Sequence, residues 1–232
     1  SFEGALLSTA YYLFFPYAII ASRSFQPDPL MVMLMLSFWW MFLHWTNSPS
    51  WTRTLLAGLL GGLAIYIKFS AAFFVIGAAL GLALTRFIFR DLLRNAQVWV
   101  MAALGVLPAA AYLVYGIFIA GYLGGQFGGR FIPSLLLDPL NYLAWQSKVS
   151  HAAGGVFIAL GLLGFFFIKE KRVRTFLYGL WGAYLLYGLF FDYHVATHDY
   201  YHLPFIPIVA ISLSPLGDWF LARLTDATPN RW

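Results

Sequence analysis

Apolar runs of roughly 17–20 residues recur along the whole chain, and a helix of that length crosses the ~30 Å hydrocarbon core of a bilayer. Residues 5–22, 175–191 and 203–221 are three of them. A transmembrane β-barrel would instead alternate apolar and polar residues over about 10 positions, and no such alternation is seen. The chain is 61% hydrophobic and only 10% charged over 232 residues, too little polar surface for a soluble domain of that size. The expected fold is therefore all-α: a polytopic transmembrane helix bundle, here a single transmembrane domain over residues 1–232. There is no cysteine, so disulfides are excluded and redox compartment is left open. A pI near 9.5 would suit a nucleic-acid binder, but the basic residues are better explained as topology signals, and no nucleic-acid partner is expected.

Helices are expected at about 4–22, 29–45, 97–118, 152–168, 175–191 and 203–221, with Ser48 capping the next helix and Pro49 in its first turn. Residues 54–85 read as one long helix or as two short ones hinged at Lys68. Charge decides. With two helices there are eight crossings with both ends cytoplasmic. Ten of the 14 Lys and Arg residues then face inside: Arg53, Arg86, Arg90, Arg94, Lys169, Lys171, Arg172, Arg174, Arg223 and Arg231. Four face outside: Arg23, Lys68, Arg130 and Lys148. One long helix would put Arg86 and everything after it on the other side and break the positive-inside bias. The outer segment 119–150 opens with Gly121, Gly124, Gly125, Gly128 and Gly129 and continues into an interfacial helix. Asp138 caps that helix, Leu140, Leu143 and Ala144 share a face, and Trp145 sits at the interface.

The densest polar run, Asp192-Tyr193-His194-Val195-Ala196-Thr197-His198-Asp199-Tyr200-Tyr201-His202-Leu203-Pro204, lies between two apolar spans. Ionisable groups at a membrane boundary are costly without a use. With Arg23–Asp28 and Lys68, this loop is expected to form one wall of an active site on the non-cytoplasmic face. Asp28 before Pro29 fits a helix N-cap, and equally a carboxylate at the mouth of a polar cavity. Lys68 fits a snorkelling interfacial lysine, and equally a cation for a phosphate head group. His194, His198 and His202 are spaced by four, so one helix would align them as metal ligands with Asp192 or Asp199. Pro204 and Tyr200-Tyr201 argue against a continuous helix there, so these groups are read as hydrogen-bonding a polar substrate. No cofactor is expected, a divalent metal being the less favoured alternative. Tyr200 and Tyr201 also fit an aromatic belt, and Arg130 and Lys148 fit solvated charge.

In this order, Arg23…Pro27-Asp28-Pro29-Leu30, Gly58-Leu59-Leu60-Gly61-Gly62-Leu63-Ala64 leading into Lys68, and His198-Asp199-Tyr200-Tyr201-His202-Leu203-Pro204-Phe205-Ile206-Pro207 resemble the polyprenyl-phosphate-dependent glycosyltransferases of the GT-C superfamily. The nearest groups are the protein O-mannosyltransferase-like and aminoarabinose-transferase-like membrane enzymes. The resemblance implies inverting transfer of a sugar from a polyprenyl-phosphate carrier to a lipid, glycan or protein acceptor. It implies an integral protein of a bacterial inner membrane, acting on the non-cytoplasmic face. By the same resemblance Asp28 is the catalytic candidate. Arg23, Lys68, Asp192, His198, Asp199, Tyr200 and Tyr201 are substrate-binding candidates, with Lys68 facing the carrier phosphate. The family's main acid lies in a first outer loop after the first helix. This chain begins Ser1-Phe2-Glu3 and shows no such loop, so it is expected to be the C-terminal part of a larger enzyme. A transporter or flippase for a lipid-linked or anionic substrate, or a non-catalytic membrane subunit, are the rival readings.

Overall fold

The computed structural model describes residues 1–126 and 131–227. The chain is 84% helical, with no strand among the described residues. The all-α expectation holds. Arg130, Arg231, Gly128 and Gly129 lie outside the described residues.

The expected first helix is two. α1 (Phe2–Phe14) and α2 (Pro16–Ser22) meet at 56°. The cause is local: the ring of Pro16 forces the residue before it out of the helical region, and Phe15 is extended at φ −65°, ψ 126°. α3 spans Asp28–Asn47 and α4 Trp51–Ile67. The cap of α4 is Ser50, whose hydroxyl accepts from Arg53 N at 3.3 Å; Ser48 instead terminates α3. α5 (Ala71–Ala83) follows a break at Lys68, as the charge argument required. α6 (Phe89–Arg94) is a short connector, and α7 (Ala96–Val114) runs on through a wider π turn at Tyr115–Ile119.

α8 (Pro139–Ala153) starts as expected, with Asp138 Oδ1 accepting from Leu140 N at 2.9 Å. Gly154, at φ +75°, then turns the chain by 86° into α9 (Gly155–Gly164) and a 3-10 turn to Phe167. A left-handed φ is where glycine is favoured, and a Cβ there would also press on Phe157 and Phe15. The bend ends the helical ladder at Ala153, whose carbonyl accepts from Tyr11 Oη at 2.6 Å. α10 (Lys171–Phe190), α11 (Asp192–Thr197) and α12 (Phe205–Ala227) complete the chain.

Eight crossings were expected. Among the described residues only α3, α7 with its extension, and α12 are long and apolar enough to span alone, and each bent pair adds one more, giving three to five by length and composition. The shortfall has a physical source. Breaking the chain at Lys68 leaves α4 with 17 residues and α5 with 13, or ~26 and ~20 Å of helix against a ~30 Å core. The expected helix at 152–168 is likewise the far arm of the α8–α9 bend.

α5 and α10 pack antiparallel, and α3 packs on both α4 and α5, while α7 covers α4. α1 and α9 flank α12. At the α5–α10 crossing Gly77 faces Gly179 with backbone against backbone. A Cβ on Gly179 would run into the Gly77 carbonyl, which has no flexible side chain to yield. Gly179→Ala is therefore expected to cost ~1–3 kcal/mol by overpacking. Gly182→Ala, one turn along the same helix with open space around it, is expected to be neutral or slightly stabilising. Thermal unfolding of the two purified variants checks this, and equal midpoints would refute it.

Candidate functional site

The site is built where α4 breaks. Lys68 is extended at φ −150°, ψ 108°, and its backbone N–H closes α4 on Ala64 O. Its side chain turns to α3, where Nζ lies 2.7 Å from Asp28 Oδ1. Asp28 occupies the first helical position of α3, the cap position falls on Pro27, and Asp28 makes no capping bond. The capping explanation of Asp28 is thus replaced by an ion pair between residues 40 apart in sequence. Asp28 is 2% exposed and Lys68 15%, so the pair is largely desolvated, and removing one partner would leave the other charge stranded.

Tyr200 and Tyr201 close over Lys68. Its ammonium lies 4.2 Å from the Tyr201 ring centroid and 5.0 Å from that of Tyr200, within cation–π range. Beneath Tyr201 the aromatic stack continues to Tyr187 and Phe191, which are fully buried. Tyr187 Oη donates to Tyr201 O at 2.9 Å. These tyrosines are cavity walls rather than a membrane belt. The cavity holds about 410 Å³ between Gln26–Asp28, Ile65–Phe69, Tyr112, Leu123 and the two tyrosines. Ile65, Phe69, Ala109 and Leu113 also line an apolar cavity of about 560 Å³.

A second cavity, about 320 Å³, shares Gln26 and Tyr200 with the first. His198 and Asp199 line it. Asp199 Oδ1 lies 2.9 Å from Lys148 Nζ, and Oδ2 lies 3.4 Å from His151 Nδ1. His198 Nδ1 contacts Thr197 Oγ1 at 2.7 Å.

The stretch that carries Asp28 and Lys68 lies within a match to a known family. Residues 1–115 fit the family model described as dolichyl-phosphate-mannose-protein mannosyltransferase. This half of the chain is of the GT-C glycosyltransferase type. No curated protein and no solved structure matches the chain. The GT-C half contains Asp28 and Lys68, while the tyrosines and Asp199 lie beyond it.

Two expected binding residues have other surroundings. Arg23 is exposed at the end of α2 and lines neither cavity. Asp192 is buried at the start of α11, where it accepts from Ile132 N at 3.1 Å and from Tyr193 N at 2.6 Å. It anchors the 131–137 segment to the loop instead of facing a cavity. The three histidines do not share a helix face. α11 stops at Thr197, His198 is extended, and Asp199–His202 forms a 3-10 turn. Among the described residues no three His, Asp or Glu side chains are grouped to hold a metal.

His202 is fully buried in a relay of bonds whose directions are fixed. A carbonyl only accepts, so Nε2–H donates to Val195 O at 2.8 Å. Nδ1 then accepts from Tyr184 Oη at 2.8 Å, and Tyr184 Oη accepts from Trp145 Nε1 at 3.0 Å. Burial pushes the His202 pKa down to about 4, with smaller opposing effects from the Val195 bond and Asp199. Trp145, expected at the membrane interface, is instead packed against Gly188 in this relay.

Sequence reasoning took Lys148 for solvated charge and passed over His151. Their shared-face spacing of three on α8 and the acids of the 192–202 loop were the available signal.

Proposed function

We propose that this chain carries the transfer of a sugar from a polyprenyl-phosphate carrier to a hydroxyl-bearing acceptor, with inversion, on the non-cytoplasmic face of a bacterial inner membrane. The observation that carries the reading is the Lys68 ammonium, paired with Asp28 and flanked by Tyr200 and Tyr201, on the wall of a cavity of about 410 Å³. A leaving lipid phosphate gains charge as its bond to the sugar breaks. A preorganised cation in a poorly hydrated site stabilises that charge far better than water does. Lys68 takes this role and the tyrosine rings confine it. Asp28 fixes the ammonium's position, and its carboxylate has further lone pairs to accept a hydrogen bond. The family match over residues 1–115 supports glycosyl transfer in general. The polyprenyl carrier and inversion are the finer parts of the proposal.

The test uses the full-length protein in detergent or nanodiscs with dolichyl-phosphate mannose. Release of dolichyl phosphate, and binding of dolichyl phosphate that depends on Lys68, are the expected results. Binding with no turnover under any acceptor would favour the transporter reading. No binding would end both.

A further inference from the structure

The end of the molecule opposite Lys68 carries charge that the fold leaves unanswered. Residues 86–94 and 169–174 hold seven of the chain's 14 Lys and Arg residues against two acids, Asp91 and Glu170. The fold brings the two stretches together. Arg86 follows α5, Arg172 lies in the first turn of α10, and the two are close enough for their charges to repel. Among the described residues Arg86, Arg90 and Arg94 are exposed and none is in a salt bridge. The positive-inside bias accounts for cations at this end. It does not account for their place at the rim of an apolar cavity.

That cavity, about 560 Å³, lies between α3, α4, α5 and α7, and every residue lining it is apolar. α6 supplies part of the rim. Phe89 and Leu93 line the cavity and are 57% and 49% exposed, so it reaches the surface there. Arg90 and Arg94, spaced by four on the same helix, share a face. Trp99 stands beside them, exposed, with Nε1 donating to Leu93 O at 2.7 Å, and an exposed tryptophan suits the headgroup level. The cavity also opens sideways. Ile76 and Leu80 on α5 and Val106 on α7 line it and are exposed, so in a bilayer the gap between these helices faces lipid chains.

We propose that this corner binds one anionic phospholipid of the surrounding bilayer, with its headgroup phosphate on Arg90 and Arg94 and one acyl chain in the apolar cavity. Charge and shape select it together. Guanidinium groups match phosphate oxygens with paired N–H donors, and basic pockets between membrane helices take anionic headgroups. A zwitterionic lipid offers the same phosphate but brings a further cation to a place already crowded with them. The cavity volume lies within the range of ligand sites. Left unfilled, its walls lose their dispersion contacts, and a chain entering between α5 and α7 restores them. Bound there, the lipid braces α5, the helix that follows Lys68. The inference is independent of the transfer reading. α5, 13 residues and ~20 Å long, separates α6 from Lys68.

The experiment titrates the full-length protein in detergent with phosphatidylglycerol or phosphatidylcholine of identical acyl chains. Native mass spectrometry counts the lipids retained, and the unfolding midpoint is followed in parallel. The wild type is expected to retain one phosphatidylglycerol about 10-fold or more tightly than phosphatidylcholine, and to gain stability from it. Arg90→Gln and Arg94→Gln should each weaken phosphatidylglycerol by about 5-fold, the worth of one interfacial arginine, and leave phosphatidylcholine unchanged. Gly105 lines the cavity with open space at its Cβ position, so Gly105→Leu fills the cavity and should weaken both lipids without loss of fold. Arg23→Gln removes a charge at the opposite end and should change neither. Equal retention of the two lipids by the wild type would overturn the proposal. So would full retention in the arginine variants, full retention in Gly105→Leu, or a matching loss in Arg23→Gln, which would reduce the effect to overall charge. Displacement of phosphatidylglycerol by dolichol, an isoprenoid chain without charge, would give the cavity to that chain and overturn it as well.

Discussion

Lys68→Met is expected to lower turnover of the lipid-linked donor by about 10²–10³-fold, the usual cost of removing one preorganised group from a developing negative charge. Methionine keeps the length and the apolar stem of lysine, so the loss reports on charge more than on shape. The carboxylate of Asp28 would then be left nearly buried with its partner gone. For fully buried pairs such a break costs ~3–5 kcal/mol, and the partial exposure of Lys68 places the expected cost below that. Two effects are thus mixed in the single variant, and a cycle separates them. Asp28→Asn keeps the shape and removes the charge. If Asp28 serves chiefly to hold Lys68, the double variant should be more stable than either single one, because no stranded charge remains, yet as inactive as Lys68→Met. Unfolding midpoints and donor turnover of the four proteins decide it. Stability changes that simply add would show that the pair is not coupled, and full turnover in Lys68→Met would remove the phosphate role.

The second large effect is on stability. The His202 pKa is depressed to about 4 from the ordinary 6.5, so between those values the unfolded chain binds a proton that the folded chain refuses. Stability then rises with pH through this window: it is fully present above about 6.5 and is lost as pH falls toward 4. The full difference is on the order of 3 kcal/mol. The structural reason lies in the relay. A proton on Nδ1 would turn that atom toward Tyr184 Oη as a donor and leave the buried Tyr184 hydroxyl hydrogen with nowhere to go. The unfolding midpoint of the wild type is expected to fall between pH 7.5 and 5. His202→Asn should be less stable at pH 7.5 but much less sensitive to pH. A wild-type midpoint flat across that range would show that the buried ring does not control the loop.

Much of the site was legible because its signals are local. A lysine inside an apolar run must either end a helix or find a counter-charge, and here it does both. Lys68 marked the place of the break, and charge balance chose two helices over one. The identity of the counter-charge was not local: Asp28 is 40 residues away, and its neighbour Pro29 offered a sufficient local explanation in a cap. Asp192 was misjudged for the opposite reason. Its density of polar neighbours suggested a cavity, while its oxygens accept from the backbone N–H groups of Ile132 and of its own neighbour Tyr193. Length and composition give three to five spans among the described residues against the eight expected, because hydropathy counts apolar residues without knowing where a helix bends or breaks. Pro16 and Gly154 each convert one apparent span into two arms, and the glycine, outside the turn chemistry of a loop, carries little signal on its own.

The crossing of Gly77 on Gly179 has a consequence for the site. Lys68 stands just before α5, and the 192–202 loop follows just after α10, both at the same end of this antiparallel pair. With backbone pressed on backbone, the two helices act as the fixed jaws of a caliper. The gap between the ammonium and the tyrosine rings is then gauged in the middle of the helices rather than adjusted in the loop.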